Sequence, residues 1–155
     1  LGSGTGTNAI YLASRGFDVT AIDLAPTALA RAEAKAHQAK VRVRWLLADV
    51  LHPPKLEPFD LIFDRGCYHG VRAGQAAAYV ETLCRLSKPG TQVLIVAGNA
   101  NEPPPRYGPP RVKEEEIRQD FSSRFEFQWL RETRFDTADP DRPGAMAWSI
   151  LMTRR

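Results

Sequence analysis

The sequence predicts an α/β domain whose parallel sheet is covered by helices on both faces. Three observations carry this. Helix-like and strand-like segments alternate along nearly all of the 155 residues, an order that sets parallel strands beneath crossover helices. The chain opens on Gly2-Ser3-Gly4-Thr5-Gly6, a glycine turn of the kind that follows a buried strand. Acidic residues close three strand-like runs, at Asp23, Asp49 and Asp64, and an open α/β sheet binds its ligand at the carboxyl ends of its strands.

Residues 8–15 carry Ile10, Tyr11 and Leu12 and stop at Gly16, a short helix with glycine at C′. Residues 17–23 (FDVTAID) are predicted as a strand. Pro26 suits the first turn of a helix over 27–39, which is rich in Ala, Arg, Glu and Lys. Residues 41–47 (VRVRWLL) alternate apolar and basic, so they form a strand with Arg42 and Arg44 on its solvated face. The prolines of 50–58 make a loop. A buried strand follows at 59–64 (FDLIFD), then a helix at 73–87. Lys88-Pro89-Gly90 marks a break and turn, and 91–97 (TQVLIVA) is a buried strand. Residues 99–111 hold five prolines and no periodicity, a surface loop of a length that is usually functional or mobile. A charged helix at 112–121 leads to strands at 125–133 and 145–153 across a polar turn. No helix separates these two, so they should pair antiparallel. No strand precedes the glycine turn, so the domain, taken as residues 1–155, is expected to lack its first strand and a preceding helix.

Composition narrows the function classes. A net charge of +3 with no Lys/Arg block gives no reason to expect nucleic acid. Cys67 and Cys84 make neither a disulfide framework nor a metal-ligand spacing, and a reducing cytoplasm is the default. No apolar run reaches membrane-spanning length and no signal segment opens the chain, so no membrane role is expected.

The chemistry sits after the strands. Gly2, Gly4 and Gly6 stand at alternate positions, which lets the backbone turn tightly and approach a ligand. A dinucleotide fingerprint needs G-x-G-x-x-G. Here Gly6 comes one residue early and Thr7 takes the third glycine's place. The spacing G-x-G-x-G is that of an S-adenosylmethionine loop. Asp23 ends the next strand, where a carboxylate can accept two ribose hydroxyls; alternatively it is a charge near the start of the next helix. Asp49 can accept the N6 hydrogens of adenine while Val50 covers the ring; alternatively it is a solvated loop residue.

Residues 1–6, Asp23, Ala48-Asp49 and 59–64, with LSKPG at 86–90 before a buried strand, resemble the ordered motifs of class I S-adenosylmethionine-dependent methyltransferases. The resemblance implies a Rossmann-like sheet of seven strands, the last antiparallel, with the glycine loop under the methionine part of the cofactor. It implies cofactor contacts at Gly2, Ser3, Gly4, Thr5, Gly6, Asn8, Asp23, Leu24, Ala48, Asp49, Val50, Asp64 and Arg65, and S-adenosylhomocysteine as product. The acidic residue that usually ends the family's first strand has no counterpart here. The stretches GTGTNAIYLASRGFDVTAIDLAPTAL and FDLIFDRGCYHG are most similar to the branch of thiopurine, small-thiol and tellurite-resistance-type enzymes.

By this architecture, residues 64–70 face the transferring methyl. They are not the Asn/Asp-Pro-Pro-Tyr loop of enzymes that methylate base or amide nitrogens. Asp64 and Arg65 form either a cofactor-side ion pair or a structural one. His69 is the catalytic candidate, since its ordinary pKa suits a general base; the alternative is a hydrogen-bonded structural histidine. Tyr68 either walls the acceptor pocket or packs, and Cys67 reads as a small hydrophobe. No metal is expected. The acceptor is expected to be a small molecule, either a thiol or another soft nucleophile. A nucleic-acid or protein methyltransferase, a nicotinamide oxidoreductase and a cofactor-binding protein without turnover are the competing readings.

Overall fold

Two helix ends set where the first strands begin. In a computed structural model, which describes residues 1–103, 108–137, 141 and 143–155, the chain divides into two compact units, 1–56 and 57–155. The first holds α1 (Thr7–Ser14), β1 (Thr20–Asp23), α2 (Pro26–Gln38) and β2 (Arg44–Leu47). β1 and β2 pair in parallel, Thr20 with Arg44 through Asp23 with Leu47. Both strands start three residues later than their sequence pattern suggests, because the helices before them use those residues to close. Gly16 turns left-handed at φ 89°, and Phe17 N–H returns to Leu12 O. Lys40 does the same at φ 56°, and Val41 N–H returns to Ala36 O. In α2, Pro26 opens the first turn, and Leu29, Ala32 and Ala36 are buried on one face.

The second unit holds β3 (Phe59–Arg65), α3 (Tyr68–Arg85), β4 (Ser87–Gly98), α4 (Glu114–Phe121), β5 (Phe125–Arg134) and β6 (Met146–Arg154). Its sheet runs β3-β4-β6-β5, with β3 parallel to β4 and β6 antiparallel to both its neighbours. The α/β class and the antiparallel last pair are thus as the sequence predicts. Val93, Ile95, Ala97, Ile150 and Met152 of the central strands are fully buried, as are Tyr79, Leu83, Ile117, Phe121 and Phe125. Burial of such side chains contributes about 1.5–3 kcal/mol each. Among the described residues there are six strands in two sheets, in which β1 pairs with β2 alone and β3 with β4 alone.

Two expected boundaries are corrected. Lys88-Pro89-Gly90 does not end an element; it is a kink inside β4, where the register to β3 shifts between Phe59 and Leu61. Thr91 Oγ1 holds the kink, donating to Phe59 O and accepting Lys88 N–H. α3 begins at Tyr68, well before residue 73, and breaks at Ala73–Gln75, where Gly74 has φ 77°. The middle of the expected proline loop, residues 104–107, and most of the last expected turn, 138–140 and 142, lie outside the described residues. Among the described residues no helix is long and apolar enough to cross a membrane.

Candidate functional site

In the first unit the glycine loop is a closed turn. Ser3 N–H donates to Ile22 O at 2.9 Å and Gly6 N–H to Ser3 O at 3.0 Å. Gly2, Gly4 and Gly6 have φ of 59°, 53° and 81°, the left-handed region that favours glycine. Gly6 and Gly4 differ in surroundings. A Cβ on Gly6 would stand 2.7 Å from both Ala32 Cβ and Trp45 Cη2, so Gly6 lets the start of α1 press onto α2 and β2. A Cβ on Gly4 would meet nothing within 4 Å. The loop therefore offers an open face at Gly4 and a packed one at Gly6.

Asp23 ties that loop to the end of β1. Its Oδ2 accepts Gly4 N–H at 2.6 Å and its Oδ1 accepts Ala25 N–H at 2.9 Å. A carboxylate has about four acceptor positions, so each oxygen keeps capacity for one more donor. Leu24 beside it is 69% exposed, a large apolar side chain mostly open to solvent. Lys35 Nζ reaches Thr5 O at 3.1 Å and Thr5 Oγ1 at 3.0 Å, bracing the loop from α2. No local pattern signals this contact, which spans 30 positions. Ser3 Oγ is buried without a hydrogen-bond partner, and Asn8 lies exposed on the first turn of α1.

At the end of β2, Ala48 N–H donates to Asp23 O at 3.0 Å, setting the two strand ends side by side. Asp49 Oδ1 accepts Leu51 N–H at 2.9 Å and Oδ2 lies 3.3 Å from His52 Nδ1. The Leu51 amide, and after it the His52 ring, hold the Asp49 carboxyl below its ordinary range. Val50 is buried.

In the second unit the residues after β3 serve the protein more than the sequence implies. Asp64 is fully buried. Its carboxyl accepts Cys67 N–H at 2.9 Å, Tyr68 N–H at 3.0 Å and Tyr79 O–H at 2.6 Å. It thus satisfies the first amides of α3, which is why the helix starts early. Burial pushes the Asp64 carboxyl up and the Tyr79 hydroxyl far up. The expected pair with Arg65 is not formed among the described residues. Arg65 stacks 5.0 Å over the Phe135 ring and reaches Asp136 O at 3.5 Å. Tyr68 is no pocket wall either. It is fully buried against Tyr79 and Phe121, and its hydroxyl donates to Asp120 at 2.6 Å. Arg72 completes this cluster with Asp120 and Glu116.

His69 is 5% exposed, and its Nδ1 accepts Gly98 N–H at 2.5 Å. An amide N–H only donates, so Nδ1 carries no proton and the neutral ring has its proton on Nε2. Burial lowers the imidazole pKa, Arg111 lowers it further, and Asp64 opposes them in part. The ring is neutral near pH 7 with both nitrogens committed, one accepting and one protonated. It has no lone pair with which to deprotonate an acceptor, so the general-base role does not fit this geometry.

The glycine loop, carboxylates at the end of β1 and just after β2, and an antiparallel last pair are features of a Rossmann-like α/β fold. Residues 1–90 match the family described as "Methyltransferase domain", and the chain belongs to the class I S-adenosylmethionine-dependent methyltransferases. It is 30% identical over 121 residues to the 2-heptyl-1-hydroxyquinolin-4(1H)-one methyltransferase of Mycobacteroides abscessus, a match covering 76% of this chain and 53% of that protein. The chain spans about half the length of the curated relatives it matches, 41% to 63%. A solved structure concerned with conversion of a disulfide bond into a thioacetal group during echinomycin biosynthesis is 26% identical. Its TM-score is 0.82, over 99% of this chain and 73% of that one. TehB from Haemophilus influenzae, 19% identical with a TM-score of 0.79 over 99% of this chain and 55% of its own, shares the fold.

Proposed function

We propose that the chain is the catalytic core of an enzyme that moves a methyl group from S-adenosylmethionine to a small-molecule acceptor, a thiol or another soft nucleophile. The observation that carries this is the pairing of an open Gly4 face with an Asp23 carboxylate that braces it and still has acceptor capacity. That donor set fits the cofactor: the Gly4 face takes an approaching chain closely, Asp23 accepts ribose hydroxyls, and exposed Leu24 offers apolar cover. Asp49, held ionised, accepts from the adenine amino group. Bound there, the cofactor supplies a methyl on a positive sulfonium. The protein supplies position, and alignment alone is worth roughly 7–11 kcal/mol of barrier. The substrates in the names of the quinolone and echinomycin relatives support a small-molecule acceptor. Two cysteines that form no disulfide suit a cytoplasmic location.

The test is ligand binding followed by one substitution. S-adenosylhomocysteine should raise the melting temperature of the protein carrying this chain, since a ligand of the native state stabilises it by mass action. Asp23→Ala should weaken that binding by roughly 1–3 kcal/mol in calorimetric titration. A shift with NAD and none with S-adenosylhomocysteine would overturn the assignment, and an unchanged dissociation constant would remove Asp23 from it.

A further inference from the structure

Helix α2 grips the glycine turn at two points. Ala32 and Lys35 stand three positions apart and so share one face of the helix. Fully buried Ala32 closes on Gly6, where an added Cβ would meet its methyl at 2.7 Å. Lys35 Nζ, from the exposed rim of the same face, donates to Thr5 O at 3.1 Å and to Thr5 Oγ1 at 3.0 Å. The turn has little of its own to hold it. Gly2, Gly4 and Gly6 bring the widest backbone freedom, and α1 starts at Gly6 without a side-chain cap.

The anchors bracket the open face at Gly4. On one side Asp23 Oδ2 accepts Gly4 N–H at 2.6 Å, which fixes the Ser3–Gly4 peptide. On the other, Lys35 holds Thr5 O while Gly6 N–H reaches Ser3 O, which fixes the Thr5–Gly6 peptide at both its polar ends. Peptide units are planar and rigid, so the Gly4–Thr5 unit between the two has little freedom left. That unit borders the space that stays clear at Gly4. An ammonium only donates, so Thr5 O and Oγ1 both act as acceptors toward it, and one cation sets the backbone and the side chain of Thr5 together.

We propose that Lys35 is a positioning residue for the methyl donor: acting through Thr5, it holds the glycine turn in its binding shape before S-adenosylmethionine arrives. This rests on the cofactor assignment above. A loop ordered in advance loses less conformational entropy on binding, and the difference appears as affinity. Lys35, Thr5 and the turn all lie within the unit 1–56, so the effect falls on binding of the donor.

The test is a coupling measurement on S-adenosylhomocysteine binding to the protein that carries this chain. Lys35→Met keeps an unbranched side chain and removes the ammonium. It should weaken binding roughly 3- to 10-fold, the size of one net hydrogen bond, with the urea midpoint kept because Lys35 is exposed. Thr5→Val removes the hydroxyl and leaves the carbonyl, so its loss should be smaller. Added to Lys35→Met, it should weaken binding no further, because the two residues share one interaction. Exchange of the Gly6 amide in the unliganded protein should be faster in Lys35→Met than in the wild type. Losses that multiply in the double variant would mean that Lys35 acts on the ligand directly, and would overturn the proposal. So would wild-type affinity in Lys35→Met, or an unchanged Gly6 exchange rate. A lower urea midpoint with affinity kept would leave Lys35 a purely structural brace and overturn it equally. If the unsubstituted protein does not bind S-adenosylhomocysteine, the cofactor assignment itself falls and takes the proposal with it.

Discussion

Replacing Gly6 and Gly4 by alanine separates packing from ligand binding within one turn. At Gly6 the new methyl lands 2.7 Å from Ala32 Cβ and from Trp45 Cη2, far inside the roughly 3.5–4.0 Å at which carbon atoms attract. Ala32 is fully buried on α2, and Trp45 belongs to β2 and pairs with Ala21, so neither yields without moving its element. Overpacking of this kind costs about 1–3 kcal/mol. The left-handed backbone at φ 81° adds about 1–2 kcal/mol for any residue with a Cβ. Gly6→Ala should therefore cost about 2–5 kcal/mol, a large share of the roughly 5–15 kcal/mol that a folded domain holds. Gly4 has φ 53° and open space around its missing side chain. Gly4→Ala carries only the conformational cost, about 1–2 kcal/mol. Its methyl projects into the space assigned to the cofactor, so affinity for S-adenosylhomocysteine should fall by about 1–3 kcal/mol. Urea unfolding followed by circular dichroism reads the first effect, and isothermal titration reads the second. A wild-type midpoint for Gly6→Ala would refute the packing argument. Unimpaired binding by Gly4→Ala would refute the placement of the ligand.

Two more perturbations probe the second unit. Asp64→Asn puts an amide donor among the amides of Cys67 and Tyr68 and the hydroxyl of Tyr79, and should lower the urea-derived stability by roughly 1–3 kcal/mol; an unchanged midpoint would show that those contacts are idle. His69 has its imidazole pKa lowered below the ordinary 6.5, first by burial. The unfolded chain therefore takes up this proton before the folded one does as pH falls. Its contribution is complete above about pH 6.5 and is lost as pH drops below it, by at most about 1.4 kcal/mol per pH unit. Urea midpoints measured from about pH 5 to 8 should show that slope and its flattening in His69→Asn, whereas equal slopes would contradict the neutral ring.

The sequence makes the elements legible wherever periodicity is undisturbed, and hides them where the chain ends one element with the residues of the next. Apolar alternation gives β5 and β6 within a residue or so, and their lack of an intervening helix gives the antiparallel pairing. Phe17 and Val41 look like strand residues because they are apolar and β-favouring. Each nevertheless gives its N–H to the preceding helix, a choice fixed by the left-handed residue before it. Residues 66–74 contain Gly66, Gly70 and Gly74, which read as loop. A helix starts there all the same, because Asp64 supplies the acceptor that its first amides need. Local propensity is a weak prior, and tertiary contacts override it.

The candidate site divides along the same line. The glycine spacing, Asp23 and Asp49 are legible because their partners lie close in sequence or are backbone groups set by the strand ends, so residue type and position suffice. Asp64 and His69 are legible only as residues of chemical capacity. Asp64 finds Tyr79 fifteen positions on, and His69 finds Gly98 twenty-nine positions on. Nothing in the local pattern announces either partner. Yet the partner decides the chemistry. A histidine whose Nδ1 faced a carboxylate would carry its proton there and leave Nε2 free to take another. Because Nδ1 here faces an amide N–H, the proton is forced to Nε2, and the same side chain at the same position becomes a donor.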